Sequence, residues 1–391
     1  MELPRPSGAG AARSWLSLRM IGAGEARSPT PSPEARSVMP ALPMTLRREL
    51  RDLGADDPSL RGILSPGYTA DALGHHIHEL FQERYEEYLR PFPLGRGVID
   101  HWKDLIRAAL PASAARYGER LAILDVGSGG GTSVFPAIEL FPEADVVASD
   151  LSLGLLRELR HWHEQHYPQH SRLWLLQLDA HDTVFADAQL DLVLGAHVLH
   201  HLTDLRTAFA ELGRILRPGG TAVFWEPFES GSQVVSFVMQ LLIARNDVVG
   251  GAERIAPEIL AGFREFLFDL HRRKGTVKSP ELLAQIEDKW IFTVTQLRAL
   301  VAGSGLELAG VRQVYGPQGL VSMMVDHELR RHLHGLEALP RWARELVREV
   351  EGQLSLELAS ELLFSGAIVL TKPAATGTDG HSARLAEPHH G

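Results

Sequence analysis

Two rhythms of apolar residues alternate along this chain. Short continuous runs at 121–126, 145–150, 173–179, 190–196, 221–227, 306–314 and 364–371 have the length of buried strands and are rich in Val, Ile and Leu. Between them apolar positions recur every three or four residues, as in Leu205, Phe209, Leu212, Ile215 and Leu216. Arg217-Pro218-Gly219-Gly220 stops that last helix, because Pro cannot extend it and Gly caps it. Strand and helix in strict alternation predict an α/β fold, a doubly wound and mostly parallel sheet.

The first strand runs into Asp125-Val126-Gly127-Ser128-Gly129-Gly130-Gly131-Thr132. So many glycines predict a tight strand-to-helix turn whose bare backbone lets a ligand approach the helix start. The second strand ends in Asp150, 19 residues after Gly131, where an acid would hold a ribose diol. The third ends in Asp179. The fourth is followed by His197-Val198-Leu199-His200-His201, read as a helix start, and the fifth ends in Glu226-Pro227. A dinucleotide turn would carry Gly or Ala where Thr132 stands, which argues against an NAD-linked oxidoreductase.

The ordered series of acid-x-G-x-G-x-G turn, Asp150, Asp179, "LHHL" and "RPGG" resembles the class I S-adenosylmethionine-dependent methyltransferases of small-molecule type. The resemblance is close over 121–227 and looser over 290–315 and 364–373. It implies a Rossmann-like doubly wound sheet of seven strands, with N-terminal helices and helical insertions after strands five and six. It implies S-adenosyl-L-methionine as cofactor. Asp125, Gly127, Ser128, Gly129 and Gly131 would then line its amino acid end. Asp150 would bind the ribose, Leu151, Asp179 and Ala180 the adenine, and Ala196 would border the cofactor at the end of strand four. Nitrogen-methylating relatives often carry Asp/Asn-Pro-Pro-Tyr/Phe after strand four. Gly195-Ala196-His197-Val198 departs from that pattern and favours an oxygen or carbon acceptor.

Around this core the periodicity predicts a tail at 1–45, too poor in apolar residues to fold, and an N-terminal helical segment at 46–115 with helices at 68–90 and 97–110. The methyltransferase-like domain would span 116–373, with insertions at 228–290 and 317–360, and 374–391 would be a second tail. Apolar helices at 232–245 and 257–274, then 324–335 and 340–358, would sit at the carboxyl edge of the sheet. They read as a lid over a partly apolar acceptor, the alternative being core padding or the face of a homodimer. A capping box at Thr293 and Gln296 restarts the core helix, which runs to Gly303.

The net charge of −10 speaks against nucleic acid as a partner, and the absence of Cys excludes disulfides, thiolate catalysis and cysteine metal sites. No run of about 18 apolar residues marks a membrane span. Glu2, Glu25 and Glu34 speak against reading the Arg- and Ser-bearing tail as a transit peptide, so a cytoplasmic protein is expected. Met20, Met39 and Met44 allow a start downstream of Met1. His161, His163, His166 and His170 read as a solvated helix face rather than a metal site.

Methyl transfer from a sulfonium needs an aligned acceptor, a dry site and a proton sink for a hydroxyl. His197, His200, His201 and Glu226 are the candidates for that base, with at least one of the histidine pair expected to be structural. The function so read is methyl transfer to an oxygen or carbon of a small, partly apolar molecule, of the kind found in secondary metabolism. The alternative from another class is a non-catalytic cofactor-binding partner in a biosynthetic complex.

Overall fold

The computed structural model describes residues 42–68, 95–110, 120–331 and 334–374. The expected helix at 68–90 and most of both expected tails lie outside the described residues. Strands β1 (Arg51–Asp52), β2 (Ile63–Ser65), β3 (Ala122–Val126), β4 (Asp145–Asp150), β5 (Leu173–Gln177), β6 (Leu190–Ala196), β7 (Leu216–Pro227), β8 (Glu307–Gln313) and β9 (Ser365–Thr371) form one sheet. Their order is β1-β2-β5-β4-β3-β6-β7-β9-β8. The run from β2 to β7 is parallel, and β9 enters antiparallel between β7 and β8.

The expected seven strands are thus nine. The two additions, β1 and β2, are only two and three residues long. They are too short to show a periodicity, and β2 exists because Ile63 and Leu64 pair with Leu175 and Leu176 of the edge strand β5. The tail boundary also moves. Met44 is buried in the core and Leu46 bridges to Phe185, so the packed chain begins before residue 46.

Helices α1 (Arg96–Ala109), α2 (Val134–Leu140), α3 (Leu153–His166), α4 (Leu205–Ile215) and α8 (Val294–Val301) belong to the core layers, with α5 (Glu229–Val248), α6 (Pro257–Arg273) and α7 (Pro280–Gln285) between the last two. The capping box at Thr293 and Gln296 is present, and α8 ends two residues before Gly303. The second insertion holds α9 (Leu320–Arg331), α10 (Arg341–Gln353) and α11 (Leu356–Glu361).

Strand pleating assigns the two faces of the sheet. Leu124, Val193, Phe224 and Ile368 face one apolar core with α4 and α8. Ile123, Leu194, Val223 and Trp225 face another with α1 and α2. A third core joins Val238 and Met239 of α5, Phe263 of α6, Met324 of α9 and Val347 of α10 to Phe364 at the foot of β9. Both insertions therefore share one helical layer beside the carboxyl end of β7.

The histidine cluster of α3 departs from its expected solvated face. His161 and His166 are exposed, but His170 is buried and its ring meets that of His163 at 6.1 Å. Burial pushes His170 down to about 4, so it is neutral at pH 7. The helix ends at His166, just before Pro168, and the following turn folds His170 back under it.

Candidate active site

The topological switch point lies at β3, whose neighbours β4 and β6 continue in opposite directions. Asp125, Asp150 and the glycine turn meet there. Gly127, Gly129 and Gly131 all have positive φ, at 62°, 48° and 91°. Ser128 anchors the turn: its N–H donates to the Ser149 carbonyl at 2.8 Å, and its Oγ accepts from the Ser149 N–H at 2.9 Å.

The glycines serve two purposes. A Cβ on Gly127 would overlap the Val198 side chain, and one on Gly131 would overlap Phe135 and Leu159. A Cβ on Gly129 would meet nothing within 4 Å, so that position borders open space. Gly127→Ala should therefore cost more than about 2 kcal/mol of stability, from overlap added to the left-handed backbone. Gly129→Ala should cost about 1 kcal/mol, the backbone part alone. Denaturant midpoints of the two variants check this. Equal losses would mean that the Gly129 surface is packed after all.

Asp125 is completely buried at the end of β3. Neither of its carboxylate oxygens makes a hydrogen bond of normal geometry. Burial pushes it up to about 6, opposed only in part by the nearby Ser128 and Ser133 hydroxyls. Asp150 is also pushed up to about 6 by burial, although its Oδ2 accepts from the Gly129 N–H at 3.0 Å and its Oδ1 from the Ser152 N–H at 2.9 Å. Two desolvated carboxyls beside one glycine turn call for donors or positive charge.

Leu151 follows Asp150, half-buried, its carbonyl held by the Gln177 amide at 3.1 Å. Asp179 lies at the end of β5. Its Oδ1 accepts from the His181 backbone N–H at 2.9 Å and pairs with His181 Nδ1 at 2.7 Å, and its own N–H donates to the Tyr68 hydroxyl at 2.8 Å. Ala180 beside it is half-buried, as is Ala196 at the end of β6.

The four candidate bases separate into two groups. Glu226 is fully buried and caps the turn after β6, which is a 3-10 turn over Leu199–His201 and not the expected start of an α-helix. Its Oε1 accepts from the N–H groups of Val198 and Leu199 at 3.0 and 2.7 Å, and its Oε2 from the His200 N–H at 3.3 Å. Oε2 also pairs with His200 Nδ1 at 2.6 Å. The other His200 nitrogen faces Asp288 Oδ1 at 3.4 Å. Burial alone would depress His200, but Glu226 and Asp288 outweigh it and raise the imidazole to about 9. It is a cation at pH 7.

Asp288 is in turn paired with Arg273 at 3.4 Å. Burial opposes its charge, yet Arg273 and the two imidazoles hold it well below the usual carboxylate range. His201 donates its Nδ1–H to the Glu287 carbonyl at 3.2 Å, and burial holds it well below 6.5. Glu226, His200, His201, Asp288 and Arg273 thus form one buried network that ties the first insertion to the turn after β6. Asp288 and Arg273 escaped the sequence reading, because 88 and 73 residues separate them from His200. Both precede the apolar run at 290–292, and neither belongs to a motif.

His197 differs. It has φ 56°, a left-handed conformation rare for a residue with a Cβ. Its N–H donates to the Trp225 carbonyl at 2.8 Å, and its ring tilts against the Trp225 indole at 5.2 Å. Burial first, then the charge on His200, pushes it down to about 3. Its Nδ1 is buried with no hydrogen-bond partner among the described residues.

A family model described as a methyltransferase domain matches residues 124–224, the segment from β3 to β7. The chain is 35% identical over 151 residues to a malonyl-[acyl-carrier protein] O-methyltransferase of Xylella fastidiosa (strain M23), over 37% of this chain and 46% of that protein. It is 30% identical over 170 residues to a demethylmenaquinone methyltransferase of Streptomyces avermitilis, over 41% of this chain and 68% of that protein. The chain spans about half the length of the first curated relatives it matches. Among solved structures, a geranyl diphosphate C-methyltransferase from Streptomyces coelicolor A3(2) aligns with 78% of this chain and 90% of that one, at 12% identity and a TM-score of 0.41.

Proposed function

From the premise that this chain belongs to the class I S-adenosylmethionine-dependent methyltransferases, we propose that it transfers a methyl group from S-adenosylmethionine to an oxygen or carbon of a small, partly apolar molecule. The observation that carries the reading is the pair of desolvated carboxyls, Asp125 and Asp150, flanking a glycine turn whose Gly129 surface is open. A ligand bearing an ammonium, a sulfonium and a ribose diol supplies the positive charge and donors such a place lacks. A dinucleotide also brings a ribose diol for Asp150, but its pyrophosphate would be repelled by the buried Asp125 carboxyl where an ammonium is attracted.

In this reading Asp125 and the 127–131 backbone hold the amino acid end of the cofactor, Asp150 the ribose, and Leu151, Asp179 and Ala180 the adenine, with Ala196 beside it. The bound cofactor supplies an electrophilic methyl group. The chain's own residues align the acceptor, exclude water and manage its proton.

Glu226 and His200 are poor bases. The first is saturated with donors and the second is already protonated. His201 spends its Nδ1–H on a carbonyl of the insertion. His197 is the candidate that is both neutral and left with an unmatched buried nitrogen. Neutral at pH 7, it accepts a hydrogen bond from an acceptor hydroxyl and takes the proton as the new bond forms. The apolar layer of α5, α6, α9 and α10 serves as the lid. Among the described residues no helix is long and apolar enough to cross a membrane.

Calorimetry tests the cofactor directly. S-adenosylmethionine and S-adenosylhomocysteine should bind at micromolar concentration and NAD should not. Binding of NAD alone would sink the reading.

A further inference from the structure

The methyltransferase reading, on which this inference rests, leaves the acceptor's chemistry open. Helix α1 and the turn after β6 bring three nitrogen-bearing rings around the Trp225 indole. The centroid of His101 lies 5.7 Å from that ring, Trp102 5.5 Å and His197 5.2 Å, and Tyr315 stands edge-on at 6.2 Å. His101 Nε2, Trp102 Nε1 and His197 Nδ1 are all shielded from solvent, and none has a hydrogen-bond partner among the described residues. Trp102 is completely buried. Native interiors leave few polar atoms unmatched, so three around one ring point to a ligand that matches them.

The donor and acceptor inventory narrows its chemistry. Trp102 Nε1–H only donates, and a neutral imidazole offers one donor and one acceptor. Burial depresses both His101 and His197, which keeps them neutral at pH 7. A hydroxyl both accepts and donates, so it satisfies an indole N–H and an imidazole nitrogen together. A carboxylate only accepts and needs a counter-charge when buried. The Arg273 guanidinium, whose charge reaches His197, is committed to Asp288 at 3.4 Å. The His200 imidazolium, whose ring lies 6.0 Å from that of His197, is likewise committed, to Glu226 at 2.6 Å and Asp288 at 3.4 Å. The walls are flat rings, which suit a planar group.

We propose that His101, Trp102 and His197 form, against Trp225, a subsite for the neutral hydroxyl of a planar phenol or enol, and that this hydroxyl group orients the acceptor. His101 and Trp102 are specificity-determining residues that the glycine-turn motifs do not include.

A matched pair of probes tests this on the full chain saturated with S-adenosylhomocysteine. 2-Naphthol and 2-naphthoate share one ring system and differ in hydroxyl against carboxylate. At pH 7, 2-naphthol should bind saturably, quench tryptophan fluorescence and shift the ring-nitrogen resonances of 15N-histidine. It should bind at least about tenfold more tightly than 2-naphthoate. His101→Phe and Trp102→Phe should each weaken 2-naphthol about tenfold, the loss of one hydrogen bond, and leave S-adenosylhomocysteine affinity unchanged. Should Trp102→Phe fail to fold, His101→Phe and the histidine resonances carry the test. Absent 2-naphthol binding, equal or tighter binding of 2-naphthoate, or variants with wild-type affinity would overturn the proposal. If S-adenosylhomocysteine itself does not bind, the methyltransferase reading falls instead. The naphthol comparison on the free protein then judges the subsite by itself.

Discussion

Glu226→Ala should destabilise the protein by about 3–5 kcal/mol, the cost of removing one partner from a buried ionic pair. The carboxylate is fully buried and accepts from three backbone N–H groups and the His200 imidazole. Without it His200 keeps Asp288, but the Val198 and Leu199 N–H groups lose their acceptor in an interior closed to water. Glu226→Gln keeps an oxygen for those N–H groups and gives up the charge, so it should cost clearly less. Urea denaturation of the three proteins gives the comparison. A loss under 1 kcal/mol for the Ala variant would show that the turn relaxes without its cap.

The pH dependence follows from the same pair. His200 is raised in the folded state to about 9, from an unfolded value near 6.5. A raised histidine contributes stability that is fully present below pH 6.5 and lost as pH rises through 9. The stability gap between wild type and Glu226→Gln should therefore narrow from pH 6.5 to pH 9. His197 and His170 are depressed instead, and act only below pH 6.5, outside that window. A gap that widens with pH would mean that His200 is neutral in the native state.

Asp150→Ala should weaken S-adenosylhomocysteine binding by about tenfold to a hundredfold. That is the range for hydrogen bonds from two hydroxyls to a carboxylate, each about 1.5–3 kcal/mol when the acceptor is charged, discounted for bonds the free site already makes. The discount is needed because Asp150 already accepts from Gly129 and Ser152. The same bonds predict a second effect, a loosened glycine turn and a lower melting temperature. Calorimetry and thermal denaturation on one preparation separate them. Unchanged affinity with a lower melting temperature would leave Asp150 as a strut of the turn and refute its ribose role.

Much of this architecture was legible in the sequence because its signals are local. Apolar runs of strand length, a glycine turn and a Pro-Gly-Gly stop are properties of adjacent residues, and they located β3 to β9 within a residue or two, except that β7 begins at Leu216, five residues before the expected Thr221. Asp125, Asp150 and Asp179 were legible for the same reason. Each ends a parallel strand, and parallel strands deliver their ends to one edge. The strands β1 and β2 were not, since two or three residues carry no period and acquire extended form only by pairing.

The roles of the four candidate bases were decided by tertiary structure alone. A sequence shows four titratable residues near two strand ends and gives no distances between them. Burial and partners acting over a few ångströms make His200 a cation, make His197 neutral and hold Glu226 as a cap. Those partners, Asp288 and Arg273, arrive from an insertion whose helices follow no motif. Likewise His101 and Trp102 read only as part of an amphipathic helix until α1 packs on β7 and sets them beside Trp225. Backbone conformation and strand order were therefore written in short-range periodicity. Charge state and contact at the site depend on dielectric and proximity, which exist only once the chain is folded.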